Sequence, residues 1–220
     1  MNKFSITMNQ KILSIILMSV MFLFISNISQ ATTLSFSNIT NNSTIQLSDQ
    51  LSVVVSEASS GVEFTLLNDV GIASSITDVY FDLGTNTDLF SNFTISDMSS
   101  GVSFDLAPHP ENLPAGETIN FYSDFGGDST SPATLENGVN ATGEYITFLA
   151  SLGSGWLGYD NFINNIFDGD FRIGMHIQGI DGAGSEDSDS YVNAVPVPAA
   201  AWLFGTALLG FFTASKRRKN

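Results

Sequence analysis

Three polar side chains at alternate positions of one short run have the chemistry to bind a ligand. Arg172, His176 and Gln178 are two or four residues apart, so on a β-strand they share one face. A guanidinium, an imidazole and an amide on one sheet face could hold a sugar or a carboxylate. The same pattern also fits an ordinary solvated face on which the arginine is paired with one of many carboxylates.

Acidic residues near this run offer oxygen ligands of the kind that calcium takes. Asp168 and Asp170 are separated by one glycine, and Asp181 follows the run. The next alternate position after Asp170 is Arg172, which does not fit a calcium-binding helix–loop–helix. A calcium site at Asp168, Asp170 and Asp181 is one expectation and a solvated acidic loop is the other. No other cofactor is expected.

The sequence contains no recognisable catalytic motif. It has no nucleophile elbow, no HExxH motif and no P-loop, and only 2 histidines. Glycoside hydrolysis needs two carboxylates at a defined separation, and with 22 acidic residues their proximity in sequence carries no information. These features favour a non-enzymatic protein, with a polysaccharide-acting hydrolase as an alternative.

The charge is distributed unevenly along the chain. Of the 7 Lys and Arg, only Arg172 lies within residues 32–194, which contain all 22 Asp and Glu and carry a net charge of about −21. Nucleic acid is excluded as a partner, because binding a phosphate backbone requires clustered cations. There are 0 cysteines, so no disulfide and no thiolate metal site can form.

Alternation of apolar and polar residues predicts an all-β domain in residues 32–181. The pattern is typical of strands with one buried face, and it occurs in 51–55, 62–66, 79–83, 93–95, 102–106 and 171–177. Turn residues separate these runs at 68–69, 84–86, 100–101, 114–116, 126–127, 137–138 and 181–182. The spacing predicts a β-sandwich of about seven to nine strands.

One short helix and one linker complete the predicted domain organisation. In residues 160–169 the apolar residues form one stripe, with Asp160 as the expected N-cap and Gly169 as the stop. Residues 182–194 are rich in acidic and small residues, so a flexible acidic linker is expected there.

Residues 1–31 have the three parts of a secretory signal peptide. Lys3 and Lys11 give a positive n-region, residues 12–25 are apolar, and small residues lead to a cleavage point at Ala31. We therefore expect a signal helix that is removed, so that the mature chain starts at Thr32. A retained N-terminal anchor is the alternative.

Residues 195–220 combine two prolines, an apolar run and a basic end. As a helix, the apolar run 199–214 would rise about 24 Å, against a hydrocarbon core of about 30 Å, so it spans only with thinning of the bilayer. The cations at its end favour a cytoplasmic C-terminus. A short transmembrane helix after an extended proline segment is typical of a processing signal.

This tail resembles a PEP-CTERM sorting signal, in particular the variant that opens VPLPA. The matching positions are Val195, Pro196, Val197, Pro198, Trp202, Leu203, Phe204, Gly205, Arg217 and Arg218. Val197 stands where that variant usually has leucine, and the glutamate that the consensus has between its prolines is absent. The resemblance implies that an exosortase cuts the chain near the prolines; a permanent single-span anchor is the alternative.

The resemblance also implies a location and a set of partners. The chain would pass the inner membrane through the secretion machinery, stay there transiently, and reach the cell surface or the extracellular matrix of a biofilm-forming bacterium. Extracellular polysaccharide is then an expected partner. An alternative function is a carbohydrate-binding module that combines the face of Arg172 with stacking side chains, for which the candidates are Tyr80, Tyr122, Tyr145, Trp156 and Tyr159.

Overall fold

A computed structural model of the chain describes residues 30–69, 71–107, 112–132, 134–182 and 187–194. Within these ranges the protein is mostly β-sheet, which confirms the predicted all-β class. The predicted signal helix and the sorting signal at 195–220 lie outside the described residues, apart from Gln30 and Ala31. The strands are β1 Ala31–Asn38, β2 Leu51–Ala58, β3 Gly61–Asn68, β4 Ser75–Asp82, β5 Phe90–Met98, β6 Phe104–Ala107, β7 Phe125–Ser129, β8 Tyr145–Leu152, β9 Arg172–Gln178 and β10 Ser188–Asn193.

Helical structure is sparse in the described part of the chain. It consists of two α-helices, α1 Thr134–Asn137 and α2 Tyr159–Asp168, and two 3₁₀ turns, Gly116–Ile119 and Ile180–Gly182. None of the described helices combines the length and the apolar character that crossing a membrane requires.

The ten strands form one antiparallel sheet, in which strand β1 changes its pairing partner along its length. Their order is β5-β8-β3-β2-β1-β10-β9-β4-β7-β6. Residues 31–35 of β1 pair with β2, whereas residues 36–38 pair with β10. Strand β1 therefore joins two groups of strands, one containing β2, β3, β8 and β5 and the other containing β10, β9, β4, β7 and β6.

Phenylalanine side chains from the two groups of strands contact one another in the core. The ring of Phe81 on β4 lies 5.2 Å from that of Phe64 on β3 and 5.3 Å from that of Phe148 on β8. At the far end, Phe93 on β5 stacks on Phe125 on β7 at 4.5 Å. Fully burying a phenylalanine side chain contributes about 1.5–3 kcal/mol, so these rings supply a large core without disulfides.

The described residues contain ten strands rather than the predicted seven to nine. Each of the six predicted runs overlaps a strand, namely β2, β3, β4, β5, β6 and β9 in chain order, although 79–83, 102–106 and 171–177 each extend one or two residues beyond their strand. The prediction of a turn at 126–127 is wrong, because both glycines lie inside β7 and pair with Tyr80 and Val79 on β4. Glycine is required at 127, since a Cβ there would approach the Phe148 ring to 2.9 Å.

The predicted helix is confirmed, but its predicted N-cap is wrong. Gly169 ends α2 with a left-handed φ of 80° and donates to the carbonyl of Ile166. At the other end, Asp160 lies inside the first turn and Gly158 flanks it without a side-chain cap. Tyr159, the first residue of the helix, is buried and its hydroxyl donates to the carbonyl of Val55 at 2.7 Å.

The prediction of a flexible linker over 182–194 is wrong for residues 188–193, which form the buried strand β10 between β1 and β9. Residues 183–186 lie outside the described residues. The carboxylate of Asp189 accepts hydrogen bonds from the Thr40 hydroxyl and from the N–H groups of Asn42 and Ser43. Tyr191 is also fully buried, and its burial raises the pKa of the phenol. The folded domain therefore extends beyond the predicted boundary at 181.

Candidate ligand groove on the outer face of strands β4 and β9

Strand β9 carries the three polar residues on one face. Arg172, His176 and Gln178 are partly exposed and alternate with three buried residues, Ile173, Met175 and Ile177. The apolar set faces the core, so the polar set lies on the outer face of the sheet.

Arg172 is occupied by contacts within the protein. Its guanidinium donates to the carboxylate of Asp82 and to the backbone carbonyls of Ile119 and Asn120, and it lies 5.3 Å from the centre of the Phe121 ring. The paired carboxylate of Asp82 also accepts the N–H groups of Gly84 and Tyr122. The sole Lys or Arg of the described residues therefore anchors the loop of residues 112–124, which leads into β7.

That loop covers the middle of the outer face. Leu113 and Phe121 pack with Tyr80 and Val192 in a small apolar cluster over Gly174. A Cβ on Gly174 would come within 2.8 Å of Leu113, so the loop can pack closely only because this position has no side chain. The loop separates Arg172 from His176 and Gln178.

His176 and Gln178 line an open groove beside the loop. The groove has a volume of about 450 Å³ and is lined by Thr77, Asp78, Tyr80, Asn112, Pro114, Ser129, Thr134, His176 and Gln178. Hydroxyl, amide, imidazole and carboxylate groups dominate this lining. A second hollow of about 350 Å³ shares Gln178 with the groove and is lined partly by Ser75, Glu136 and Asn140.

Within the groove, the imidazole of His176 is oriented by a carboxylate. Its Nδ1 lies 2.9 Å from Oδ2 of Asp78, which also accepts the hydroxyl of Thr77 at 2.7 Å. The pair is partly exposed, with 15% of the His176 side chain and 23% of the Asp78 side chain accessible. Both side chains can therefore take part in hydrogen bonds with a polar ligand.

The pairing register places five polar residues in a row across the outer face. Asp105 lies opposite Asp128, which lies opposite Asp78, and this row continues through His176 to Ser190. Side chains directly opposite on neighbouring strands have Cβ atoms about 4.5–5.5 Å apart. The sequence could not reveal this row, because its members come from five strands spread over most of the domain.

The row ends in a serine that is not accessible. The row contains, in order, Ser190, His176 and Asp78. A catalytic triad has the same order of residue types: a serine nucleophile, its histidine base and the carboxylate that orients the base. However, Ser190 is fully buried and its hydroxyl makes no hydrogen bond to a described group. A substrate cannot reach this hydroxyl, so the row provides no nucleophile.

The structure does not assemble the predicted calcium ligands. Asp168 ends α2, Asp170 precedes β9, and Asp181 lies in the 3₁₀ turn Ile180–Gly182 with its N–H bonded to the carbonyl of Ala73. Over the described ranges no group of three acidic or histidine side chains could hold a metal ion.

Four of the five aromatic candidates for sugar stacking are buried or partly buried. Tyr80 and Tyr159 are 6% and 5% exposed, Trp156 packs on Phe90 and Phe162, and Tyr145 donates to Asp97. Tyr122 is 59% exposed and belongs to the loop that Arg172 anchors, outside the groove.

Comparisons of this chain with protein-family models, with curated proteins and with solved structures gave no match.

Proposed function

We propose that the chain is an exported, non-enzymatic protein of the bacterial cell surface or extracellular matrix. A leader ending at Ala31 directs secretion. The tail at 195–220 holds the chain in the inner membrane until an exosortase cuts it near Pro196 and Pro198. The acidic β-domain then resides at the cell surface or in the extracellular polysaccharide of a biofilm.

The observation that carries this proposal is the position of the two ends of the β-domain. Ala31 starts β1, and Ala194 follows β10, the neighbouring strand. The N–H of Ala194 donates to the carbonyl of Ser35 at 2.8 Å, so the two ends lie within four residues, or about 13 Å, along β1. The chain thus enters the β-domain and leaves it at neighbouring positions. This arrangement suits a domain whose two flanking segments are both held at one membrane.

We further propose that the domain is a β-sandwich. The change of partner along β1 and the phenylalanine contacts between the two groups of strands support this architecture.

Truncation of the tail tests the sorting proposal. A chain that ends after Ala194 keeps every described strand, so it should fold and be secreted. In a host that has an exosortase, the full chain should appear in the washed-cell or matrix fraction and the truncated chain in the medium. In the same host lacking the exosortase, the full chain should stay in the inner membrane with its tail. Identical distribution of the three samples would contradict the proposal.

A carbohydrate-binding module is the second candidate, and the groove at His176 and Gln178 favours it. Its lining offers donors and acceptors for sugar hydroxyls, next to the ring of Tyr80. The strongly negative domain should repel anionic polysaccharide, so a neutral sugar is the expected ligand.

A glycan array with the exported mature protein tests this second candidate. Binding through the groove should weaken in Gln178→Ala and remain in Tyr122→Ala, because Tyr122 is exposed outside the groove. Loss of binding in Tyr122→Ala alone would place the sugar on the loop surface. Absence of any bound glycan would eliminate the module.

A further inference from the structure

The second hollow follows the groove along the same two strands. Thr77 and His176 line the groove, Ser75 and Glu136 line the second hollow, and Gln178 lines both. The pairing register places Gln178 opposite Ser75 on β4, and His176 lies two residues, or about 7 Å, from Gln178 along β9. The two volumes therefore meet at Gln178.

Helix α1 provides a wall that passes along both volumes. Thr134 lines the groove, and Leu135 and Glu136 line the second hollow. The hydroxyls of Ser129 and Ser75 donate to the carbonyls of Thr134 and Leu135, each at 2.9 Å, and so fix the helix to β7 and β4. A wall that is held in place before a ligand arrives lowers the ordering cost of binding.

Two polar side chains at these volumes are available for a ligand. Gln178 is partly exposed and Glu136 is exposed, and neither side chain makes a hydrogen bond or ion pair with another residue of the part of the chain that the structure describes. An amide both donates and accepts hydrogen bonds, and a carboxylate accepts strong, charge-assisted ones from hydroxyl groups. Gln178 can thus bond to a ligand in either volume, whereas Glu136 serves the second hollow only.

The strands below the two volumes do not suit an extended peptide as the ligand. Such a peptide gains affinity by adding to an unpaired strand edge. Here both edges are already paired, because β9 lies between β4 and β10, and Ile76 of β4 exchanges hydrogen bonds with Val139 on the edge away from β9. A ligand must therefore bind through side chains, which favours a molecule with many hydroxyl groups.

We infer that the groove and the second hollow form one binding cleft for a linear, neutral oligosaccharide of at least two sugar units, with Gln178 at the junction between the units. This inference rests on the second function proposed above, the carbohydrate-binding module. Each volume alone lies in the lower half of the range of about 300–1,000 Å³ that ligand sites occupy, and the two volumes together lie in its upper half. A longer sugar chain bonds both to the groove and to Glu136, whereas a single sugar is confined to one volume.

Binding of a length series to the exported mature protein tests the inference. The probes are neutral linear oligosaccharides, from the monosaccharide to the hexasaccharide, of the glucose, mannose, galactose and N-acetylglucosamine series. The affinity should rise by about tenfold or more from the monosaccharide to the longer members, because only these reach Glu136 from the groove. In Glu136→Ala this gain should disappear while the affinity for the monosaccharide stays unchanged. Gln178→Ala should weaken binding at every length.

Glu117→Ala is the matched control, because Glu117 is an exposed glutamate on the 3₁₀ turn Gly116–Ile119 and lines neither volume. It should keep the gain with length. Alanine is a good helix former, so Glu136→Ala should keep α1.

Equal affinity for all lengths, or the same gain in Glu136→Ala and Glu117→Ala, would overturn the two-part cleft and leave the carbohydrate-binding module intact. Absence of any bound sugar would eliminate the module and the cleft together. The truncation after Ala194 tests the sorting proposal separately.

Discussion

Arg172 shows how a residue suited to ligand binding is used for folding instead. It is the only Lys or Arg in residues 32–194. Its contacts with Asp82, Ile119 and Asn120 hold the loop that covers the centre of the outer face. Among its described lining residues the groove consequently has His176 and Gln178 but no Lys or Arg.

Replacing Arg172 should destabilise the protein rather than abolish ligand binding alone. Arg172→Ala leaves the nearly buried Asp82 carboxylate without its cation, so the free energy of unfolding should fall by about 3 kcal/mol. Arg172→Lys should lose less, since an ammonium can reach Asp82 but cannot also fork to the two carbonyls. Urea unfolding measures both variants. An unchanged midpoint for Arg172→Ala would show that the loop does not depend on this side chain.

Tyr191 should make the stability of the domain sensitive to alkaline pH. Burial raises the pKa of its phenol above the ordinary value of 10.0, so the folded chain keeps a proton that the unfolded chain releases. The contribution of the protonated Tyr191 phenol to the free energy of unfolding is fully present below pH 10. It is lost as the pH rises through the raised pKa, at about 1.4 kcal/mol per pH unit. Tyr191→Phe should show a shallower decline of the free energy of unfolding above pH 10. The same slope in both proteins would contradict this account.

At the scale of the elements, β7 shows why two adjacent glycines need not mark a turn. Gly126 and Gly127 pair with β4 and β6, and the lack of side chains lets the Phe148 ring pack against the strand. Gly127→Ala should therefore lower stability by about 1–3 kcal/mol through overpacking. Gly71→Ala is the control, because the nearest atom to its added Cβ lies 3.9 Å away. Equal stability of the two variants in urea would argue against this register.

The two facing aspartates in the row on the outer face, Asp105 and Asp128, should lower the free energy of unfolding. Asp105 and Asp128 lie directly opposite each other, and like charges in that position repel. Asp105→Asn should raise the free energy of unfolding by about 0.2–1 kcal/mol at low salt, with a smaller gain at high salt. The control is Glu63→Gln, since Glu63 lies opposite the neutral residues Ser56 and Leu149. A gain no larger than that of the control would show that the row is not strained.

Local patterns predicted some elements well and missed others for physical reasons. Strands with one apolar face, such as β3 and β9, were visible because their alternation is regular. Strand β10 was missed because its sequence is polar, and Asp189 is stabilised there by donors from Thr40, Asn42 and Ser43, more than a hundred residues away. The spacing of residues in the sequence was enough to predict the outer face of β9. It could not predict Asp78 as the partner of His176, or the loop over Gly174, because both contacts depend on long-range packing.

At the scale of the whole molecule, charge and chain ends give one coherent account. Residues 32–194 carry about −21, and the Lys and Arg other than Arg172 lie in residues 1–31 and 195–220, the proposed leader and the proposed tail. Removing both segments would leave a soluble, strongly acidic domain without disulfides. The ends of that domain lie on the neighbouring strands β1 and β10, where both segments join it.

The most direct test of the account is the mass of the mature protein from its native host, measured separately in washed cells and in the medium. The account predicts a chain that starts near Thr32 and ends near Val195. A chain that still carries Trp202 to Arg218 in every fraction would contradict processing at the sorting signal and would make the protein a permanently anchored one.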